Sequence, residues 1–136
     1  MKIVVTRVIP ERGLDMLREA FGAEAVTVTQ QDGPIPRAAL LEEVRGADAL
    51  LPMLTDRIDG EVLDAAGPGL RIVANNAVGF DNIDLAAARE RGVAVSNTPG
   101  VLTETTADLA WTLLMAAARR VGEGERFLRA GQWTCW

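Results

Sequence analysis

The chain has 136 residues, 49% of them apolar and 24% charged, with a formal net charge of −5. That length suffices for one domain with a real core and is too short for two ordinary ones, and the acidic balance argues against nucleic acid or an anionic membrane surface as partner. There is no histidine, the commonest general acid–base group and zinc ligand, and only one cysteine, Cys135; no internal disulfide can form, and a reducing cytoplasm is the expected setting.

The amino terminus, Met1 to Arg7, holds too short an apolar stretch for a signal peptide, and no run approaches the roughly twenty apolar residues of a membrane helix. Lys2 to Thr6 reads as a first strand. Glu11 to Phe21 reads as a helix entered at Pro10, with Leu14, Leu17, Ala20 and Phe21 on its inner face. Ala25 to Thr29 is β-branched and reads as a second strand. The turn-rich stretch 31–36 leads to a helix over Arg37 to Val44, closed by Gly46. Ala49-Leu50-Leu51 is a short buried strand. Asp59 is placed to cap a helix over Gly60 to Ala66, ended by Gly67-Pro68-Gly69.

Leu70 to Ala74 is apolar and β-branched enough for a strand buried on both faces. Ala77-Val78-Gly79-Phe80-Asp81-Asn82-Ile83 follows, and then a helix over residues 84–91 with an acidic start at Asp84 and a stop at Gly92. The seven residues therefore form a turn at the carboxyl end of a strand, where open α/β sheets bind ligands and where free backbone N–H groups meet anions. Gly79 either lets a ligand approach the backbone closely or adopts a positive φ. An ordinary strand-to-helix turn is the alternative. A last strand is expected at Val93-Ala94-Val95. Strands alternating with helices predict a parallel sheet covered on both faces.

From Val101 the pattern changes. Thr103 is a plausible N-cap for a helix reaching Val121, with Arg119-Arg120 in its last turn. Its middle, Ala110 to Ala118, is apolar all round, as no water-facing helix is. A second helix is expected over Glu123 to Ala130, with Phe127 and Leu128 inward. Two tryptophans in the last four residues, Trp133 and Trp136, make an unusual solvated tail, and the chain reads as the front part of a longer protein. No Gly-x-Gly-x-x-Gly is present to hold a pyrophosphate.

The run Asn76 to Asp84, then Gly92-Val93-Ala94-Val95-Ser96-Asn97-Thr98-Pro99-Gly100, then Glu104-Thr105-Thr106-Ala107-Asp108 and Arg119-Arg120, resembles the D-isomer-specific 2-hydroxyacid dehydrogenase family, in its amino-terminal substrate (catalytic) domain. Leu102 to Ala107 and the ending Gly131 to Trp136 look most like the glyoxylate and hydroxypyruvate reductases of that family. The resemblance implies a flavodoxin-like five-stranded parallel sheet over residues 1–98, then a hinge and dimerisation arm over 99–136 leading to a Rossmann coenzyme domain absent from these residues. It implies an oxidoreductase that passes a hydride from NADH or NADPH to a small 2-oxo acid, working as a homodimer.

By the same resemblance, the N–H groups of Val78 and Gly79 receive the substrate carboxylate, and Val78 borders the coenzyme. Thr106 matches a threonine near the coenzyme; the alternative is that its hydroxyl only satisfies its own helix terminus. Met53 and Leu54, just past a strand, either wall the substrate pocket or fill core. Trp136 either walls that pocket, its own or that of a dimer partner, or packs on the missing domain. Asp81 is expected to cap the turn rather than react. The family's arginine, histidine and glutamate have no counterpart here, so no catalytic residue is assigned and the 136 residues alone should be inactive. A receiver domain is excluded because Thr6-Arg7-Val8 and Pro52-Met53 stand where its acidic residues belong, and a flavodoxin because Arg7-Val8-Ile9-Pro10 is not its hydroxyl- and glycine-rich phosphate loop. A non-catalytic module that binds a small carboxylate, or only dimerises, remains the alternative.

Overall fold

Five three-residue strands carry the sheet: β1 (Ile3–Val5), β2 (Val26–Val28), β3 (Ala49–Leu51), β4 (Ile72–Ala74) and β5 (Ala94–Ser96). They lie in the order β2-β1-β3-β4-β5, every neighbouring pair parallel. The computed structural model describes residues 1–31 and 33–135. Met1–Pro99 is one compact unit, and the residues from Gly100 onward form a second.

Strand alternation sorts the side chains of the first unit into two layers. Val4, Leu50 and Val73 point to one face, where they pack with Leu40 and Val44 at the end of α2 (Arg37–Glu43), with Val62, Leu63 and Ala66 of α3 (Gly60–Ala66), and with Ala87 and Ala88 of α4 (Leu85–Glu90). Ile3 and Val5 point the other way and meet Leu14 of α1 (Glu11–Phe21). Both faces are covered, but unequally. Three helices lie over one and a single helix over the other, so Ala49, Leu51, Ile72 and Ala74 stay only half-buried. Phe21, expected inward on α1, is 52% exposed beside that thinly covered face, where the described residues of the first unit supply no second helix to pack on it.

Local signals set most boundaries. Asp59 caps α3 through the N–H of Val62 (3.3 Å), and Asp84 caps α4 through the N–H of Ala87 (2.9 Å). The expected second strand starts one residue late, since Ala23–Ala25 forms a 3-10 turn. The last strand is shifted by one residue, to Ala94–Ser96. The N–H of Val93 is taken by the Ala88 carbonyl (2.9 Å), so the ladder opens only where Ala94 faces Ile72.

The second unit holds α5 (Thr103–Ala118) and α6 (Val121–Arg129). Thr103 is the first helical residue rather than the cap; Leu102 occupies that position without a side-chain bond. The long helix stops at Ala118, short of Val121, because Arg120 turns left-handed (φ 52°, ψ 36°). Its carbonyl then accepts the N–H groups of Glu123 and Gly124, which starts α6 two residues earlier than expected. Arg119-Arg120 thus forms the break between helices, not a last turn. No residue of α5 is buried, and Phe127 and Leu128, expected inward, are exposed. Among the described residues no helix is long and apolar enough to cross a membrane.

Candidate anion-binding site

Past their last ladder residues, β3 and β4 stay side by side. Met53 pairs with Asn76 as an isolated parallel bridge, and the N–H of Asn76 donates to the Pro52 carbonyl (2.9 Å). The loop 52–56 and the turn 75–83 are thereby held together at the carboxyl edge of the sheet, the edge at which such sheets bind ligands.

The turn is held by its carbonyls. Ala77 C=O accepts the N–H of Thr98 (2.9 Å), Val78 C=O accepts Asn97 Nδ2 (2.7 Å), and Gly79 C=O accepts Asn75 Nδ2 (2.9 Å). A peptide unit is planar and trans, so its N–H points opposite to its C=O. Fixing the Ala77 and Val78 carbonyls on the protein therefore aims the N–H groups of Val78 and Gly79 the other way. None of the N–H groups from Ala77 to Phe80 donates to an acceptor among the described residues. Free N–H groups fixed in direction, with no charge to titrate, are what a carboxylate needs from its binding site.

Two buried polar groups support this arrangement. Asn75 is 2% exposed and Asn82 partly buried, and their amides bond to each other through Asn75 Nδ2 to Asn82 Oδ1 (3.0 Å) and Asn82 Nδ2 to Asn75 Oδ1 (3.2 Å). Asn82 Nδ2 also donates to the carbonyls of Met53 (3.2 Å) and Asp56 (3.0 Å). The Asp56 carboxylate, 3% exposed, accepts the Thr6 hydroxyl (2.5 Å) and the N–H of Met53 (2.8 Å). Arg7 reaches Thr55 Oγ1 with Nη2 (3.0 Å), while its buried Nε has no partner among the described residues. A guanidinium from the segment after β1 therefore stands against the 52–56 loop. A separate hollow is lined by Asp81, Asp84, Asp59 and Arg57, and Asp59 there is paired with Arg37 (2.5 Å) and Arg57 (3.2 Å).

Of the residues singled out in the sequence, Met53, Leu54, Val78 and Gly79 come together. A Cβ built on Gly79 would stand 3.7 Å from Leu54 Cδ1, and Asn76 Nδ2 lies 3.3 Å from Met53 Sδ. Leu54 is 53% exposed and Met53 only half-buried, so neither is core. Gly79 does not take a positive φ, which leaves close approach as the remaining reason for a glycine. Asp81 caps nothing. Its carboxylate has no hydrogen-bond partner among the described residues, and capping falls to Asp84 because only Asp84 immediately precedes the helix. Thr106 belongs to the second unit, where its N–H bonds Leu102 and its hydroxyl makes no hydrogen bond among the described residues. Trp136 lies outside the described residues.

The sequence reading missed Thr6, Asp56, Asn75, Asn82 and Asn97. Each sits in a short polar interruption just after a strand or within a turn, and that position was the only signal available. For a nicotinamide dinucleotide the fit is partial. Val78 offers a 37% exposed side chain beside the turn, but no glycine-rich phosphate turn follows any strand.

A doubly wound parallel sheet whose loops converge at its carboxyl edge defines an open α/β domain of the class that takes ligands at that edge. The chain belongs to the D-isomer specific 2-hydroxyacid dehydrogenases, whose catalytic-domain model matches residues 3–127. It is 58% identical over 132 residues to a glyoxylate reductase of Thermococcus gammatolerans, covering 97% of this chain and 38% of that one. The crystal structure of the TT0316 protein of Thermus thermophilus superposes with a TM-score of 0.88 at 50% identity, over 100% of this chain and 42% of the other. An NAD+-bound 3-phosphoglycerate dehydrogenase of Entamoeba histolytica superposes with a TM-score of 0.68 at 26% identity, over 85% of this chain and 38% of the other. The chain thus spans about two fifths of the length of the relatives it matches.

Proposed function

We propose that these residues form the substrate side of an NAD(P)H-dependent D-2-hydroxyacid dehydrogenase that reduces a small 2-oxo acid, with glyoxylate the leading substrate and hydroxypyruvate the second. The observation that carries this reading is the turn 77–79, whose carbonyls are tied inward and whose N–H groups find no acceptor among the described residues. In the proposal, Val78 and Gly79 N–H receive the substrate carboxylate, while Met53 and Leu54 wall the side facing the rest of the substrate.

The hydride comes from the coenzyme. The proton donor and the substrate-gripping arginine are assigned to the part of the relatives' length that the chain does not span. NAD is favoured by the NAD+-bound neighbour, and NADP stays within the proposal. Thr106 is placed near the coenzyme and Trp136 near the substrate on the strength of the family resemblance alone. The proposed enzyme is a cytoplasmic homodimer joined through the apolar helix α5. Residues 1–98 are its substrate domain and 99–136 its hinge and dimerisation segment.

The test is a titration of the 15N-labelled chain with oxalate, a planar and unreactive stand-in for glyoxylate. The amide resonances of Val78 and Gly79 are expected to move saturably and ahead of all others. Saturable shifts centred elsewhere, or none at all, refute the carboxylate site.

A further inference from the structure

We propose that Asn75 and Asn82 are positioning residues for this carboxylate site, joining the anion-binding turn and the Met53–Asp56 wall into one unit; the proposal rests on the reading of Val78 and Gly79 above. The two amides use their polar atoms within the site. Asn75 Nδ2 serves Gly79 O and Asn82 Oδ1, and Asn82 Nδ2 serves Met53 O, Asp56 O and Asn75 Oδ1. Every carbonyl in that set belongs either to the anion-binding turn or to its wall.

The chain of contacts is continuous. Asn75 is anchored to β5 by its own N–H, which donates to Ser96 O (2.8 Å). Its side chain sets the Gly79 carbonyl and, through Asn82, the Met53 and Asp56 carbonyls. The Met53 N–H is held in turn by Asp56, and Asp56 by Thr6 at the end of β1. Ends of four strands are thereby coupled around one turn. An amide is suited to this, since it donates and accepts at once and carries no charge to desolvate at 2% exposure. Preorganised donors lose no binding energy to reorientation, so loosening the pair should weaken anion binding even where the fold survives.

The prediction is that Asn75→Ala and Asn82→Ala chains bind oxalate about tenfold more weakly than the unsubstituted chain. The comparison is made below the melting transition of each variant, at unchanged far-ultraviolet circular dichroism. A readout that needs no variant runs alongside. In the unsubstituted chain the side-chain amide resonances of Asn75 and Asn82 should shift with oxalate in step with Val78 and Gly79, although neither side chain donates to the ligand. Folded variants that bind oxalate as tightly as the unsubstituted chain, or side-chain amides that stay still while Val78 and Gly79 saturate, overturn the positioning role and leave the carboxylate site standing. Absence of any Val78 or Gly79 shift in the unsubstituted chain overturns the carboxylate site itself, and this inference with it.

Discussion

The Thr6 hydroxyl lies 2.5 Å from Asp56 Oδ2, across fifty positions of sequence, and both residues are almost wholly shielded from water. The same carboxylate oxygen accepts the N–H of Met53. Thr6→Val keeps the shape and removes the donor, leaving a buried carboxylate with one bond fewer. The expected cost is about 1.5–3 kcal/mol, read as a lower urea midpoint at unchanged slope. A midpoint equal to that of the unsubstituted chain would mean that the bond is replaced at no cost.

At position 79 the structure leaves room for a small side chain. A Cβ there meets only Leu54 Cδ1, at ordinary contact distance, and the backbone is not left-handed. Gly79→Ala should therefore melt as the unsubstituted chain does. Gly79→Val adds methyl groups beside the proposed carboxylate site, and should weaken oxalate binding about tenfold, roughly 1.4 kcal/mol. Equal oxalate affinity in folded Gly79→Val chains removes the close-approach argument.

The first unit should lose stability in acid. Burial, the largest single influence on Asp59, pushes its carboxyl up. The Arg37 hydrogen bond (2.5 Å), the Val62 N–H and the charges of Arg37 and Arg57 together bring it below its ordinary value of 3.8. The unfolded chain then binds more protons, so the contribution of Asp59 is complete above the ordinary aspartate value and is lost as pH falls through the lowered one. Asp64, held down by the Arg91 hydrogen bond, acts in the same direction. Asp59→Asn should flatten this acid limb in thermal melts recorded across the range; an unaltered slope would assign the limb to other groups.

Self-association is expected through α5, where Leu109, Trp111, Leu113 and Leu114 are each more than half exposed. Covering half of the apolar surface of Trp111, Leu114 and Met115 contributes on the order of 3 kcal/mol. Ala117→Glu or Ala118→Glu should shift sedimentation toward the monomer by burying an unpaired charge in the contact. A unsubstituted chain that stays monomeric at high micromolar concentration, with its helices intact by circular dichroism, refutes this interface.

The 136-residue chain should oxidise neither NADH nor NADPH in the presence of glyoxylate or hydroxypyruvate. It has no histidine to deliver a proton near neutral pH and no pyrophosphate-binding glycine turn. Turnover above a protein-free control that survives repurification would mean that another residue supplies the proton.

Much of the first unit was legible in the sequence because its signals are local. A capping aspartate before a helix, a glycine after one, and three β-branched or apolar residues in a row act over a few residues, so Asp59, Asp84, Gly67 and Gly92 marked boundaries that the structure keeps. The turn at 77–83 was recognisable for the same reason, as a strand, a glycine and a helix start in succession. The second unit was read less well. The alternation of apolar residues says which side chains avoid water but not what covers them, so Phe127 and Leu128 were placed inward although both are exposed. Arg120, a left-handed arginine, gave no warning, since nothing in its neighbours demands that conformation.

By itself the sequence determined the element order, the parallel α/β class, the family and the glycine-containing turn, all of which rest on short-range propensity and on matched runs of residues. Only the tertiary structure decided how that turn is held. Asn75, Asn82, Asp56 and Thr6 are ordinary polar residues in the sequence, separated by as many as 76 positions. They become partners because parallel pairing stacks the ends of β1, β3 and β4 at one edge of the sheet. A hydrogen bond depends on distance and direction in space, and a sequence of residues contains neither until the sheet has formed.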